Sequence, residues 1–256
     1  MSVITITSDF GWQDFYLAAI KGNLLCQTLE YPIVDITHNV ESHDIVQAAF
    51  IFKNAWKNFP SGSIHLISVK NFYGTNKRFL VFEKKGHFFV GPDNGLFSLV
   101  FEDWPGEAVF ELLPDDEHHF PVKTIFGRAV KHILSQNELK EIGPQVEEVV
   151  KRITFQPVIT KAEIRGSVIY IDKYENVIVN ISQVLFEQMS EGRDFSIYFK
   201  RHDPIQQICH QYYEVPVGEP LCLFNSSGYL EIAINMGKAS SLLGLNVEDA
   251  VHINFH

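Results

Sequence analysis

Cysteine is scarce in this chain, with three residues among 256. Cys26, Cys209 and Cys222 are odd in number and widely spaced, and none belongs to a CxxC pair, so we expect neither a disulfide framework nor a zinc site. Long apolar runs are missing too. No stretch approaches the ~20 apolar residues of a membrane span, and no basic-then-apolar run starts the chain. We therefore expect a cytoplasmic protein with reduced thiols.

Basic residues are also few, with 21 Lys and Arg against 31 Asp and Glu, for a net charge of −10. A nucleic-acid surface needs clustered basic residues, so this balance argues against one and fits a small-molecule ligand. The densest acidic run, DDEHH at 115–119, is interpreted as a solvated loop, because adjacent side chains seldom converge on one metal ion. We expect no metal site.

What the chain does have is a strand that ends in a polar corner. Segment 4–11, ITITSDFG, alternates β-branched residues, and apolar residues at helical spacing predict a helix from Asp14. Asp9 and Asp14 then lie where open α/β sheets bind ligands. Carboxylates accept hydrogen bonds in pairs, which suits ribose hydroxyls or an ammonium group. The alternative, equally open at this point, is that one of them caps the helix.

The remaining N-terminal part alternates strands with helices, which predicts a mainly parallel sheet with right-handed crossovers over residues 1–144. Further strands are predicted at 34–38, 63–69, 79–82, 87–90 and 108–113, and further helices at 42–59, 95–101 and 124–134.

After Gly143-Pro144 the pattern changes. Residues 145–161 lack a clear period and are predicted to be a linker, and residues 162–256 contain many short strands, which suggests a small β-barrel domain. Short helices are predicted at 182–189 and 239–243. The strands are predicted at 166–171, 177–181, 195–199, 214–217, 221–224, 229–234 and 250–255. The fold class is thus α/β followed by a β-barrel.

Five motifs follow one another along the chain: SDFGWQD at 8–14, VDITH at 34–38, VGPDNGL at 90–96, IDKYEN at 171–176 and NSSGYLEIAIN at 225–235. In this order they resemble the S-adenosyl-L-methionine hydroxide adenosyltransferases, a family related to the bacterial fluorinase and chlorinase. The resemblance runs from about Ile4 to about Val251. It implies an α/β domain followed by a β-barrel domain, a homotrimer with S-adenosylmethionine between subunits, and no separate cofactor.

The resemblance also implies binding roles for particular residues. Asp9, Asp14 and Asp172 match the carboxylates that bind ribose and methionine, and Asn176 matches the residue that reads the adenine edge. An amide offers both a donor and an acceptor there. The alternative is that Asp172 and Asn176 are turn residues.

Other matched positions complete the nucleoside contact. Phe72 and Tyr174 are aromatic candidates for packing on the base or sugar, although most such residues serve a core or an interface. Ser226 and the pair Asn235-Met236 match the rest. Ser227 replaces a larger or basic residue that is frequent in the family, which weakens any carboxylate clamp at that end.

The family's hydrolases hold a water with an Asp, Arg and His set for in-line attack on the ribose C5′, expelling methionine. The matching stretches are KNFYGTNKR at 70–78 and IFGR at 125–128, so the three positions are Lys70, Lys77 and Phe126. A protonated lysine cannot accept a proton from water, and phenylalanine can neither donate nor accept one. We therefore expect slow or undetectable hydrolysis, and whether this chain is an enzyme stays open.

Two alternatives remain: a catalytically silent adenosyl-binding or structural trimer, and adenosyl transfer to a different, anionic nucleophile. If water is activated at ordinary rates, Arg78 or His65 is the candidate, although Arg78 is one strand residue away and points to the other face. Lys70 and Lys77 would repel a cationic sulfonium. Either an anion lies between them or at least one turns to solvent.

Overall fold

A computed structural model describes residues 2–72, 77–112, 120–200 and 202–256. The chain divides into two compact units, Met1–Ile153 and Thr154–His256. The acidic run at 115–119, the predicted strand end at Leu113 and the motif residues Gly74 and Thr75 lie outside the described residues.

The first unit is built on a six-stranded sheet in the order β2-β1-β3-β5-β4-β6. Its strands are β1 (Ile4–Ser8), β2 (Ile33–Thr37), β3 (Ile64–Ser68), β4 (Phe79–Lys84), β5 (His87–Pro92) and β6 (Val109–Leu112). The four strands β2, β1, β3 and β5 are parallel, and β4 is antiparallel to both of its neighbours. The predicted mainly parallel α/β architecture is confirmed.

Helices cover both faces of this sheet. They are α1 (Tyr16–Gln27), α2 (Ile45–Ala55), α3 (Leu96–Val100) and α4 (Pro121–Leu134). Alternate residues of β4 belong to different cores: Phe79 and Val81 pack with α1 and α4, whereas Leu80 and Phe82 pack with α2 and α3. This alternation follows from the two-residue period of a strand, and it buries the sheet on both sides.

Helix starts differ from the predicted ones for local reasons. The α2 helix begins after Asp44, whose Oδ1 accepts the N–H groups of Val46 and Gln47, both at 2.9 Å, so the predicted start at residue 42 is too early. The α1 helix begins at Tyr16 with Phe15 at its N-cap position and no capping side chain.

The first part of the predicted linker packs on the first unit. Glu111 donates its N–H to the Pro144 carbonyl at 3.0 Å, and Val146 donates to the Val109 carbonyl at 2.8 Å. Val146 and Val149 also pack against the core between the sheet, α2 and α3. The division between the units, at 153/154, therefore falls inside the predicted linker, and residues 145–153 are part of the first unit.

The second unit is a curled half-barrel sheet, ordered β10-β14-β8-β9-β13-β12-β11, with β7 paired to β8. Its elements are β7 (Val158–Ile159), β8 (Glu163–Ile171), β9 (Val177–Ser182), α5 (Gln183–Ser190), β10 (Phe195–Phe199), β11 (Ile208–Cys209), β12 (Pro220–Phe224), β13 (Tyr229–Ile234), α6 (Ala239–Leu243) and β14 (Ala250–Phe255). A large apolar core packs inside the curl, and a smaller cluster is formed by Cys209, Leu221, Leu223 and Ala233.

The strand predicted at 214–217 is wrong. Residues Tyr212–Glu214 form a 3-10 turn instead, because the Glu214 carboxylate accepts the N–H of Gln211 at 3.0 Å in a capping box. The short strands β7 and β11 were not predicted.

Throughout the described ranges, no helix is long and apolar enough to cross a membrane.

Candidate functional site

Asp9 lies at the carboxyl edge of the first sheet, directly after β1. Its Oδ2 accepts two backbone N–H groups, from His43 at 3.0 Å and from Lys70 at 3.3 Å. The side chain is only 9% exposed. No residue in the described ranges donates a hydrogen bond to its other oxygen, Oδ1. The backbone thus holds this carboxylate through one oxygen, and the other is available to a ligand hydroxyl or ammonium group.

Both donors to Asp9 have left-handed backbone conformations, with φ 68° at His43 and 48° at Lys70. Such conformations are uncommon for residues other than glycine. The conformation at Lys70 is supported by the buried Asn94, whose Nδ2 donates to the carbonyls of Val69 at 2.9 Å and Lys70 at 2.8 Å. The motif VGPDNGL therefore supports the chain beside Asp9 rather than facing solvent.

A chain of polar side chains holds the turn that follows β1. Ser8 Oγ lies 2.6 Å from His38 Nδ1, His38 Nε2 lies 3.0 Å from Asp35 Oδ1, and Lys21 Nζ donates to Asp35 Oδ2 at 2.6 Å. Burial lowers the pKa of His38 despite the nearby Asp35 carboxylate. Burial works to raise the pKa of Asp35, but the hydrogen bonds of Lys21 and His38 outweigh it and the net shift is downward.

The turn itself is anchored to His38. Gly11 donates its N–H to the His38 carbonyl at 2.8 Å, and the Trp12 ring packs edge-on against the imidazole at 4.8 Å. Asp14 in this turn is exposed and does not cap α1. The helix-capping alternative is therefore wrong for both carboxylates, because Asp9 binds the backbone of other segments.

The substituted family positions lie in different surroundings. Lys77 is exposed, as is Phe72 at 45%, while Lys70 is half-buried. Phe126 has no exposed surface: it lies on α4 within the core, and its ring meets that of Phe79 edge-on at 6.4 Å. We expected either an anion between the two lysines or at least one lysine turned to solvent. The exposed position of Lys77 matches the second arrangement.

The two other proposed water activators have structural roles. Arg78 binds the buried Asp93 carboxylate through Nε at 2.8 Å and Nη2 at 2.7 Å, and it donates to the Glu148 carbonyl. His65 is the second residue of β3 and has no exposed surface. Burial, and secondarily the charge of His87, lowers its pKa to about 3. Neither geometry favours activation of a water at the sheet edge.

In the second unit, Asp172 organises the loop between β8 and β9. Its Oδ1 accepts the N–H groups of Tyr174 and Asn176, both at 2.8 Å, and its Oδ2 accepts Asn176 Nδ2 at 3.1 Å. Asn176 is buried, and Tyr174 is 77% exposed. The turn-forming role is therefore present in the structure, and a ligand would use the remaining lone pairs and the exposed ring.

Sequence reasoning missed Glu231, a buried carboxyl group on β13. Tyr212 Oη donates to its Oε1 at 2.7 Å, and Asn225 Nδ2 donates to its Oε2 at 3.2 Å. Burial raises the pKa of Glu231, and the charge of Asp172 acts in the same direction. The signal in the sequence was a lone acidic residue inside the apolar run LEIAI.

The remaining candidates of the second unit differ in exposure. Ser226 is exposed, and Met236 is 88% exposed with a left-handed backbone. Asn235 Nδ2 donates to the Val215 carbonyl at 2.7 Å, so its amide holds the loop before β12.

In the part of the chain that the structure describes, no group of three or more His, Cys, Asp or Glu side chains is placed to hold a metal ion.

Comparison with known protein families gives two matches along the chain. Residues 4–143 match the SAM hydroxide adenosyltransferase N-terminal domain, and residues 166–252 match the SAM hydroxide adenosyltransferase C-terminal domain.

Curated relatives and solved structures agree with these matches. An (R)-S-adenosyl-L-methionine hydrolase of Methanocaldococcus jannaschii is 30% identical over 99% of this chain and 96% of its own length. A fluorinase of Actinopolyspora mzabensis is 21% identical over 91% of this chain and 90% of its own length. The crystal structure of an uncharacterized conserved protein from Thermotoga maritima superposes with a TM-score of 0.88 at 26% identity, covering 98% of this chain and 100% of that one.

Proposed function

Because this chain belongs to the SAM hydroxide adenosyltransferase family, we propose that it binds S-adenosylmethionine and hydrolyses it slowly to adenosine and methionine. The family membership supports the ligand and the reaction, and hydrolases are among the relatives that align over nearly the whole chain. The observation that carries the proposal in this structure is Asp9, a carboxylate held at a sheet edge with one oxygen unused by the described residues.

In the proposed binding mode, Asp9 Oδ1 accepts a ribose hydroxyl, and Asp14 and Asp172 supply further anionic groups for the sugar and the methionine ammonium. Asn176 reads the adenine edge. The exposed rings of Phe72 and Tyr174 pack on the nucleoside. The other contacts are proposed for Ser226, Asn235 and Met236.

In the proposed reaction, a water oxygen attacks the ribose C5′ in line with the C–S bond, and the bonding electrons leave with sulfur as neutral methionine. A sulfonium is already a good leaving group, so the protein need only position and partly desolvate the water. Lys70, Lys77 and Phe126 provide no carboxylate or imidazole for this purpose. We therefore expect turnover below about one per second.

The test is a binding and product assay on the purified full chain. Calorimetry with S-adenosylmethionine, methionine and adenosine should detect binding, and chromatography should detect adenosine and methionine in equal amounts. Asp9→Ala should weaken binding of the nucleoside by about 1–3 kcal/mol, because a buried ligand hydroxyl loses its acceptor. Asp203→Ala, at an exposed aspartate of the second unit, is the matched control. Absence of heat and thermal shift with all three ligands would refute the proposal.

The replacement of the family's water-activating set favours a second candidate, a catalytically silent adenosyl-binding trimer. It is separated from the first by the same assay: binding persists, but adenosine forms no faster than without protein. Transfer to an anionic nucleophile would instead appear as a 5′-substituted adenosine when chloride or another small anion is added.

A further inference from the structure

His43 lies beside Asp9 at the edge of the first sheet, in the segment that joins β2 to α2. Its backbone N–H donates to Asp9 Oδ2 at 3.0 Å, and its imidazole Nδ1 lies 3.8 Å from the same oxygen. The His43 side chain is 75% exposed. The backbone of His43 is left-handed, with φ 68°.

The other nitrogen-bearing side chains near this edge are poorly suited to accept a proton. Lys70 is a cation while protonated, and the Asn94 amide bonds the backbone. His38 is fully buried and lies within bonding distance of Ser8 and Asp35. His43 therefore combines an imidazole, exposure to solvent and a neighbouring carboxylate, and that carboxylate also accepts the backbone N–H of Lys70, one of the three replaced family positions.

We propose that His43 is the general base of this chain, with Asp9 as its partner. The inference rests on the proposed function. As the water oxygen forms its bond to C5′, one water proton passes to the His43 imidazole, and the electrons of the broken C–S bond leave with methionine. The imidazolium then releases the proton to solvent, so that S-adenosylmethionine and water give adenosine, methionine and one proton.

The electrostatics of the pair favour this role. A neutral imidazole adds no repulsion against the cationic sulfonium in the ground state, in contrast to a lysine. When the imidazole takes up a proton, the Asp9 carboxylate lies next to the new positive charge and stabilises it, as a carboxylate does for a catalytic histidine. A positioned general base contributes typically about 10²–10⁴-fold to a rate.

The left-handed backbone at residue 43 accepts glycine or asparagine, so the imidazole can be removed without straining the chain. Glycine adopts a positive φ without steric cost, and asparagine tolerates it better than most residues. His43→Gly and His43→Asn should therefore keep the N–H bond to Asp9 and the fold, while they remove the proton acceptor. Gln136→Gly is the matched control, because Gln136 is also exposed and left-handed, at φ 57°, and lies beyond the end of α4.

The experiment measures Kd for S-adenosylmethionine by calorimetry and the single-turnover rate of adenosine formation for all four proteins. We expect both His43 variants to lose at least about tenfold in rate with Kd changed less than about twofold, and Gln136→Gly to match the parent chain. Added imidazole should restore the rate of His43→Gly, which leaves space for it, and not that of His43→Asn. A purely structural role would not give this rescue.

The outcomes distinguish the two proposals. Failure of the parent chain to bind S-adenosylmethionine overturns the proposed function and, with it, this inference. Binding without any adenosine formation overturns the inference and leaves the ligand proposal in place. Normal turnover of both His43 variants, at unchanged Kd, overturns the inference alone.

Discussion

Asp9 and Asp172 are the two proposed ligand-binding carboxylates that also stabilise the fold. Each binds backbone N–H groups of its own loop or of neighbouring segments. Charge-assisted hydrogen bonds of this kind are among the stronger ones, so the two side chains are fixed before any ligand arrives. Binding of a ligand to their remaining lone pairs would therefore cost less side-chain entropy than binding to a freely rotating carboxylate.

The buried His65 leads to a prediction about stability against pH. Its ring lies 2.7 Å from Thr5 Oγ1 and 3.1 Å from His87 Nδ1. Burial, then the charge of His87, lowers its pKa from 6.5 to about 3, so the unfolded chain takes up a proton first as the pH falls below 6.5. The free energy of unfolding should then decrease by up to about 1.4 kcal/mol per pH unit from this group.

Urea unfolding at pH 7.5, 6.5 and 5.5 measures this slope. His65→Asn should be less stable at pH 7.5 but should show a shallower dependence on pH. His210→Asn, at an exposed histidine of the second unit, should keep the slope of the parent chain. Equal slopes for His65→Asn and the parent chain would contradict the assignment to His65.

The buried Glu231 leads to a second prediction at this scale. Tyr212→Phe removes the hydroxyl that donates to Glu231 Oε1 at 2.7 Å, which leaves a buried carboxyl oxygen without that donor. The free energy of unfolding should fall by about 1–3 kcal/mol. Tyr213→Phe is the control, because Tyr213 is 77% exposed and should change little. Denaturant unfolding followed in the full chain checks both variants, and an equal effect of the two would exclude the Glu231 bond as the cause.

At the scale of elements, residues 143–146 can lie close to β6 because residue 143 is a glycine, which has no side chain. A Cβ at Gly143 would overlap the Glu111 carbonyl oxygen, which is backbone and cannot turn aside. The same segment contributes the carbonyl of Pro144 and the N–H of Val146 to β6. Gly143 therefore allows the start of the predicted linker to form hydrogen bonds with β6, at the edge of the first sheet.

Gly143→Ala should lower the free energy of unfolding by about 1–3 kcal/mol, because the segment must move away from β6. Gly22→Ala is the opposite case: it lies inside α1 with nothing within 4 Å of the added Cβ. It should raise stability by up to about 1 kcal/mol, since alanine is the better helix former. Thermal unfolding of the two variants should shift the midpoint in opposite directions, and a shared direction would contradict the packing argument.

At the scale of the whole molecule, apolar surface bears on assembly. The rings of Phe15 and Tyr16 are tilted against each other, with their centroids 4.5 Å apart, and are 69% and 38% exposed. Trp12 is 57% exposed. Burying aromatic surface of this kind between chains is favourable. With the family resemblance, this supports a homotrimer, which we propose as the assembly of this chain.

Light scattering at micromolar concentration should therefore give the mass of three chains. Phe15→Asp, which places a charge in the exposed aromatic group, should shift the distribution towards lower mass. Leu29→Asp is the control, because Leu29 is also apolar and 83% exposed but is not one of the aromatic residues Trp12, Phe15 and Tyr16. A monomer mass for the parent chain would rule out the proposed trimer.

The local pattern of the sequence determined the elements and the family. Alternating β-branched residues before Asp9 predict β1, and the apolar stripe after Ser42 predicts α2, because both signals depend on near neighbours in the chain. The error at 214–217 has the same origin: the side chain of Glu214 closes a local cap that the apolar pattern does not report.

Tertiary structure alone decided which distant residues meet. His43 contacts Asp9, which lies 34 positions away in the sequence. Arg78 forms an ion pair with Asp93, and Phe126 packs against Phe79 in the core. These contacts depend on strand order and on the paths of loops, which nearest-neighbour patterns do not encode. The sequence therefore identified the carboxylate at the sheet edge, whereas the imidazole beside it became visible only when parallel strands brought their carboxyl ends together.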